Sequence, residues 1–287
     1  MKDSRVLELL PFSTILGNSL TYDTIVTDSG AGFYSVGDTW TESTPSMSQN
    51  TVALKILGGD ADVDNFLLKT RSDQTDLKGT VIGNKVKSVQ YKFLDTFYYG
   101  SATTDTKTFN GLQKLISSTT YNTVHAGSTA GTDLSLAKVR QAIDLVTGWK
   151  PTHIVMSKTL RRYISIYLDS VGSGFPQSIN EFGKRIEFYD GLEIVPDDHI
   201  LATETSASGA YSSTTTSDTT TMFILTFDEM ACCGVHSGEG VQVEPLGTLE
   251  TKDATRWRIK WYCGMMFQDL RSCAKVDGIH SSGTVVV

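Results

Sequence analysis

Apolar residues change their spacing several times along this chain, and each change predicts a different element. From Tyr22 to about Leu57 they alternate with polar ones. Tyr34, Val36 and Trp40 share one face, Val52, Leu54 and Ile56 another, and the turn formers of TESTPSMSQN lie between. This pattern predicts a long two-stranded β arm. Such an excursion is marginal in water by itself, so Phe33, Tyr34, Trp40 and Met47 need a surface to cover them, on their own domain or elsewhere. From about Asp73 to Tyr99 the spacing becomes helical: Ile82, Val86, Val89, Phe93 and Phe97 form one continuous stripe. A helix of about 25 residues is about 37 Å long at 1.5 Å per residue, well beyond the usual length. Gly100 is expected to close it as a left-handed cap. Gly79 and Gly83 inside it cost about 1 kcal/mol each relative to Ala, which either close backbone approach or tolerance near the first turns would explain.

Between arm and helix, GGDADVDNF (58–66) reads as a turn followed by a capped element. Its alternating Asp60, Asp62 and Asp64 suggest a calcium loop, but the glycine that should follow is missing and Arg71 stands where a bidentate Glu belongs. After the polar stretch SSTTYNTVHAGSTAGTD, a second helix is expected with Asp133 as N-cap and Leu136, Val139, Ile143 and Val146 on its apolar face. THIVMS reads as a strand. Ser157 then caps a third helix with Leu160, Ile164, Leu168 and Val171 inward, closing at Gly172. KRIEFY and LEIVP flank Asp190-Gly191, a dipeptide suited to a type I′ hairpin. The Ser/Thr-rich run Thr203 to Thr221 is expected to be an exposed loop, and MFILTF a buried strand. RWRIKWYCGMMF alternates strictly, putting Arg256, Arg258 and Lys260 opposite Trp257, Ile259 and Trp261.

With 287 residues, 39% of them hydrophobic, the chain is large enough to bury a substantial core. Its net charge of -7 argues against a protein whose main work is neutralising nucleic-acid phosphates. MKDSRVLELLPFSTILGN lacks the apolar run of a signal peptide and no stretch is long enough to span a bilayer, so a soluble intracellular product is expected. Cys232, Cys233, Cys263 and Cys273 form no C-x-x-C pair and are expected to be buried thiols. The five histidines are scattered, neither H-E-x-x-H nor G-x-S-x-G occurs, and the glycines of GTVIGNK and GAG do not have phosphate-loop or dinucleotide spacing. The sequence therefore nominates no catalytic, cofactor-binding or metal-binding residue. In RWRIKWYCGMMF rings and charges fall on opposite faces, which fits a half-buried strand whose basic side meets acids or solvent, rather than a stacking platform for bases. Lys158, Arg161 and Arg162 are either a solvated helix face or one side of an ion-pair set between subunits.

The order of LELLPF, KILGGDADVD, the long helix, the aromatic-Gly of FYYG followed by FNGL, and a W-Y-x-G strand before DGI resembles the major capsid proteins of tailed bacteriophages, of the Hong Kong 97 type fold. The resemblance implies an α+β chain: an N-terminal arm (1–21), an extended β loop (22–64), a peripheral domain with a spine helix (65–132), an axial α/β domain (133–250), and a peripheral return strand with C-terminal tail (251–287). It implies that Phe33, Tyr34, Trp40 and Met47 cover a neighbouring subunit, with Lys158, Arg161 and Arg162 as further inter-subunit candidates. Phe97, Tyr99, Gly100, Phe109, Asn110, Gly111 and Leu112 would anchor the spine, with the polar detour between FYYG and FNGL only turning the chain. Implied partners are copies of the chain in hexamers and pentamers, scaffolding and portal proteins, a decoration protein, and enclosed double-stranded DNA bound without sequence specificity; no cofactor, catalysis or membrane is implied. The chain opens almost directly on the arm, so a separate scaffold or a processed precursor is expected. Some relatives weld subunits by a Lys–Asn isopeptide bond; the arm here has only Lys55, near its base, so non-covalent assembly is expected. An encapsulin-like nanocompartment, an enzyme, and a tail or decoration protein are the alternatives.

Overall fold

The computed structural model describes residues 4–27, 29–70, 76–117, 122–127, 131–172, 174–179, 185–204, 218–282 and 285–286. The helices are α1 (Arg5–Leu9), α2 (Asn65–Thr70), α3 (Leu77–Tyr99), α4 (Leu112–Ser117), α5 (Leu136–Asp144) and α6 (Lys158–Val171). The strands are β1 (Phe12–Ile15), β2 (Ser19–Thr27), β3 (Ser46–Ala53), β4 (Lys55–Asp64), β5 (Thr123–His125), β6 (Leu134–Ser135), β7 (His153–Ser157), β8 (Gln177–Ile179), β9 (Arg185–Tyr189), β10 (Leu192–Asp197), β11 (Thr219–Leu225), β12 (Cys232–Ser237), β13 (Gln242–Thr248), β14 (Ala254–Phe267), β15 (Ala274–His280) and β16 (Val285–Val286).

Two sheets organise these elements. In the five-stranded sheet β14 is the central member, antiparallel to β4, β12 and β13, while β1 runs parallel to β12. The seven-stranded sheet has the order β5-β15-β11-β7-β10-β9-β8. Strand alternation divides the side chains of this sheet between two cores. Val155, Val195, Phe223 and Leu225 join a core with α1, α3, α4 and the inner face of the five-stranded sheet. Their neighbours Ile154, Met156, Ile194, Met222 and Ile224 face the other way, toward α5 and α6.

Helix α3 is the longest, and its predicted stripe is its buried side. Val89, Phe93 and Phe97 are buried, with Phe93 packed 4.6 Å from Trp261 and 5.7 Å from Phe109, centroid to centroid. Ile82 and Val86 are only partly covered. Gly83 meets nothing within 4 Å and Gly79 meets only the Asp76 side chain, so these glycines are tolerated and no other backbone approaches them.

Several expectations are corrected. Gly100 has φ -59, so it is not a left-handed cap; its N–H still bonds Thr96 O at 2.7 Å. The helix needs a glycine there for space: a Cβ on Gly100 would sit 2.5 Å from Thr96 O. GGDADVD is strand, not turn, and the aspartate alternation is the period of β4; only its end behaves as a cap, Asp64 Oδ1 accepting from the N–H groups of Phe66 and Leu67. The arm is shorter in strand than expected. β2 and β3 form its antiparallel ladder, Ser46–Asn50 belong to β3, and the described part of 28–45 carries no strand. Helix α5 begins at Leu136, because Leu134 and Ser135 pair with Val285 and Val286 before it. Val171 ends α6 exposed, although Ser157 Oγ caps that helix and Gly172, at φ 74, closes it as expected. Glu204, Thr219, Thr220 and Thr221 are buried, the last three in β11, and 205–217 of the expected loop lie outside the described residues. Asp190 and Gly191 have φ 52 and 82, the pair of positive values a type I′ turn needs. The ranges 133–250 and 251–287 do not follow the sheets: β12 and β13 belong to the five-stranded sheet and β15 to the seven-stranded one.

Two predictions follow from this packing. A methyl at Gly111 would lie 2.5 Å from Thr96 O and 2.7 Å from Gly100 N, so Gly111→Ala is expected to cost about 3 kcal/mol, whereas Gly83→Ala in open space gains up to about 1 kcal/mol; denaturant unfolding of the two variants checks the opposite signs. All four cysteines are free and buried, and burial pushes Cys233 up to about 11 and Cys263 up to about 12. The native chain is therefore expected to resist thiol reagents near neutral pH and to react at four positions after denaturation, which mass spectrometry reads directly.

Candidate assembly surface

The arm leaves the body as a hairpin with a covered base and a bare tip. At the base, Leu20, Tyr22, Val52 and Leu54 pack on Ile15, Cys233, Val235 and Met266, on the outer face of the five-stranded sheet. Burial raises the Tyr22 phenol above its ordinary value. Lys55, where the arm rejoins the sheet, donates to Thr106 O at 2.8 Å.

At the tip the apolar side chains face solvent. Phe33 and Val36 are fully exposed, Trp40 is 77% exposed and Met47 61%. The tip nevertheless has local order. Tyr34 stacks on Trp40 at 4.4 Å and its hydroxyl accepts from the Thr41 N–H, Asp38 Oδ2 accepts from the Ser35 N–H at 2.6 Å, and Ser43 Oγ accepts from the Gly30 N–H. Aromatic rings held this way lose little entropy when another surface covers them, a property of interface anchors.

Beyond the hairpin base, the outer face of the sheet is a ladder of charge. Arg256 binds Asp62 through Nε at 2.7 Å and a second nitrogen at 2.9 Å, and Arg258 binds Asp60 likewise at 2.8 and 3.0 Å. Lys252 joins Asp62 at 2.6 Å and Lys260 joins Glu244 at 2.5 Å. These pairs follow the β4–β14–β13 register, in which Asp62 faces Arg256, Asp60 faces Arg258, and Glu244 faces Arg258 from the far side. The hydrogen bonds from Arg256 and Lys252 hold the Asp62 carboxyl well below the usual carboxylate range. The cationic face of RWRIKWYCGMMF is thus met by acids from both flanking strands, with Ile259 and Trp261 buried behind it. Trp257 is partly covered by the Lys78 ammonium, 4.1 Å above its ring.

The other candidate contact residues have partners inside the chain. Lys158 pairs with Asp198, Arg161 clasps Glu187 through two nitrogens, and Arg162 lies 5.4 Å over the Tyr163 ring.

The candidate anchor residues converge. The N–H of Gly111 bonds Gly100 O at 2.9 Å, and Asn110 Oδ1 accepts from Ala102 N–H at 2.9 Å, closing the polar detour into a ring of chain. Phe97, Phe109 and Leu112 lie in the core shared by both sheets. Tyr98, not singled out from the sequence, is fully buried, with its hydroxyl donating to Asp197 Oδ2 at 3.0 Å. Tyr99 OH donates to Glu204 Oε1 at 2.6 Å and accepts from Leu201 N–H. Glu204 is missed by sequence reading because it opens onto a run of Ser and Thr that looks like loop; its burial comes from β11, to which it is bridged through Thr219. Around it, Gln113 Nε2 donates to Thr221 Oγ1, Thr221 donates to Glu204, and Lys275 Nζ donates to Gln113 Oε1 at 2.7 Å. His125 meets Asp277 Oδ1 at 2.6 Å.

Among the described residues no group of three His, Cys, Asp or Glu is arranged to hold a metal, and no helix is long and apolar enough to cross a membrane. An open hollow of about 430 Å³ with a mixed lining runs along Lys92, Asp95, Tyr99, Ser101, Asp105 and His199.

No family model and no curated protein sequence matches the chain. Solved structures do. The holo-SrpI encapsulin complex of Synechococcus elongatus PCC 7942 matches with a TM-score of 0.73 at 11% identity, over 98% of this chain and 89% of that one. The capsid of a native GTA particle matches with a TM-score of 0.68 at 10% identity, over 96% and 89%. A structure of Microbacterium phage Oxtober96 gives 0.67 at 13%, over 99% and 91%. The likeness spans nearly the whole of both partners in each comparison, and these neighbours include shell proteins rather than enzymes. The chain has the α+β, Hong Kong 97 type fold of major capsid proteins.

Proposed function

We propose that this chain is the structural major capsid protein of a tailed bacteriophage, a non-enzymatic building block that self-assembles into an icosahedral head enclosing double-stranded DNA. The observation that carries this reading is the hairpin tip, where Phe33, Val36, Trp40 and Met47 stand in solvent on a ribbon whose base alone is packed. An apolar tip of this kind is stable in a shell because each copy covers it with the next. On this reading Phe33, Tyr34, Trp40 and Met47 lie on a neighbouring subunit, and the exposed Arg162 and the edges of the Lys158 and Arg161 pairs are further contacts. The hairpin is the extended loop, α3 the spine of the peripheral domain, and the seven-stranded sheet with α5 and α6 the main part of the axial domain. Copies gather in hexamers and pentamers, with scaffolding, portal and decoration proteins as partners, and the head is built in the host cytoplasm. The net charge of -7 suits a wall that contains duplex DNA without gripping it.

A second reading, an encapsulin-like compartment, is supported by the TM-score of 0.73 to an encapsulin. Electron microscopy of the expressed protein separates both from the remaining alternatives: closed shells support the proposal, and a monodisperse monomer with a folded-back hairpin overturns it. Nucleic acid inside shells recovered from infected or induced cells supports the phage head; a protein cargo without nucleic acid supports the compartment.

The contact has an expected size. Trp40→Ala removes a large part of the tip's apolar area, and at about 25 cal/mol per Å² over about 150 Å² it is expected to weaken each contact by about 2–4 kcal/mol. Sedimentation should show fewer shells with the subunit still soluble; normal shell yield would remove Trp40 from the interface. Because the only lysine in the arm is engaged with Thr106 at its base, shells boiled in SDS are expected to run as single chains rather than a covalent ladder.

A further inference from the structure

The end of α3 meets the last residue of β10 and the segment after it through three side-chain bonds. Asp95 Oδ1 and His199 Nδ1 are 2.7 Å apart, Tyr98 donates to Asp197, and Tyr99 donates to Glu204. Glu204 and Asp197 are both buried, at 5% and 6% exposed, and the Glu204 oxygens touch three separate elements: Tyr99 on α3, Gln113 on α4 and Thr221 on β11. Its own backbone is tied to Thr219, through an N–H bond to Thr219 O at 2.8 Å and a hydroxyl bond returned to Glu204 O.

The charges around it are few, and two of them are buried at least as deeply. Lys275 and Asp277 on β15 are 2% and 4% exposed, and Lys275 directs its bonds to Gln113 Oε1 and, at 3.7 Å, to Asp277 Oδ2. His125 on β5, half exposed, reaches Asp277 from the solvent side. Lys275 and His125 both touch Asp277, whereas the Glu204 carboxyl touches hydroxyl and amide donors and no cation among the described residues. Its ionised form is a buried charge without a direct counter-ion, a costly arrangement.

We propose that Glu204 is a proton-operated latch: it carries a proton when the junction of α3, α4 and the seven-stranded sheet is closed and releases it when that junction opens to water. In the ionised state both oxygens accept hydroxyl bonds from Tyr99 and Thr221. In the protonated state one oxygen donates and one of those hydroxyls must turn, so the two states are wired differently across the same three elements. The direction of the linkage follows from burial. Burial pushes the Glu204 carboxyl up to about 7, with the bonds from Thr221 and Tyr99 and the charge of Lys275 opposing it and Asp277 reinforcing it. A raised carboxyl contributes stability that is complete below its unfolded value of 4.5 and is lost as pH rises through about 7. Asp277, raised by its own burial, acts in the same direction, whereas Lys275, lowered by burial, acts in the opposite one. His199, raised chiefly by its bond to Asp95, tightens the neighbouring contact in acid as well. The junction is therefore closed more firmly in acid than above neutrality.

The test uses the full chain and hydrogen exchange of the amides of 96–116, corrected for the intrinsic pH dependence of exchange, in wild type and Glu204→Gln. With one linked proton, the opening constant in wild type is expected to rise by up to about tenfold per pH unit between 4.5 and about 7 and then to level off. Glu204→Gln should lose that component and keep only what His199 and Asp277 contribute; equal pH slopes in the two proteins would overturn the proposal. Infrared titration of the wild type supplies a measurement that does not require the variant to fold. A protonated carboxyl band persisting toward neutral pH is expected, and its absence would overturn the latch. Neither result depends on what the shell encloses.

Discussion

The long helix α3 has to satisfy two sheets at once, and the rest of the fold follows from that constraint. Along its middle, Phe93 packs into the five-stranded sheet against Trp261; one turn and a half later Tyr98 packs against Phe223 in the seven-stranded sheet. A single rigid rod gripped at two places sets how the sheets lie relative to each other, because packed interiors do not deform continuously. The residues that end the rod therefore carry more than a cap usually does. Gly100 and Gly111 let two stretches of backbone touch where any side chain would force them apart, and Tyr98, Tyr99 and Asp95 bind the rod to the segment leading out of β10.

The outer face of the five-stranded sheet shows a division of labour between polar and apolar surface. Near the hairpin base it is apolar and covered by the arm's own Leu20, Tyr22 and Val52; farther along it is a neutralised array of Arg and Asp pairs. Exposed pairs of this kind contribute little to stability, but they keep the face from offering a second apolar patch that would compete with the hairpin tip.

Much of this was legible in the chain. The stripe from Val89 to Phe97, the Ser157 and Gly172 caps of α6, the Asp190-Gly191 turn and the alternation of β14 all depend on residues near one another in sequence, where periodicity and capping chemistry act. Order along the chain of LELLPF, KILGGDADVD and FNGL carried the fold. The failures came where distant chain decides. GGDADVD has the composition of a turn and becomes strand because β14 lies beside it with arginines in register; Thr219 to Thr221 look like loop and are buried because β7 and β15 flank them. Glu204 and Lys275 gave no signal, since what buries them includes side chains far away in the sequence, Tyr99 and Gln113 among them. The aromatic alternation around Tyr34 and Trp40 has the period of a strand but reflects a local stack, so the ladder of the arm stops short of the tip.

The ring of chain between Gly100 and Gly111 has a consequence for how such a protein can diversify. Its two ends are fixed to each other by backbone bonds, and its interior, Ser101 to Thr108, is mostly exposed and held by its own turns. Lengthening such an excursion adds only about 0.6 kcal/mol of closure entropy per doubling, and an insertion that keeps the Lys55–Thr106 bond leaves the rod and the sheets in place. The detour is thus a site where descendants of this chain can acquire new surface, even whole added modules, while the geometry of the rod and the sheets stays constant.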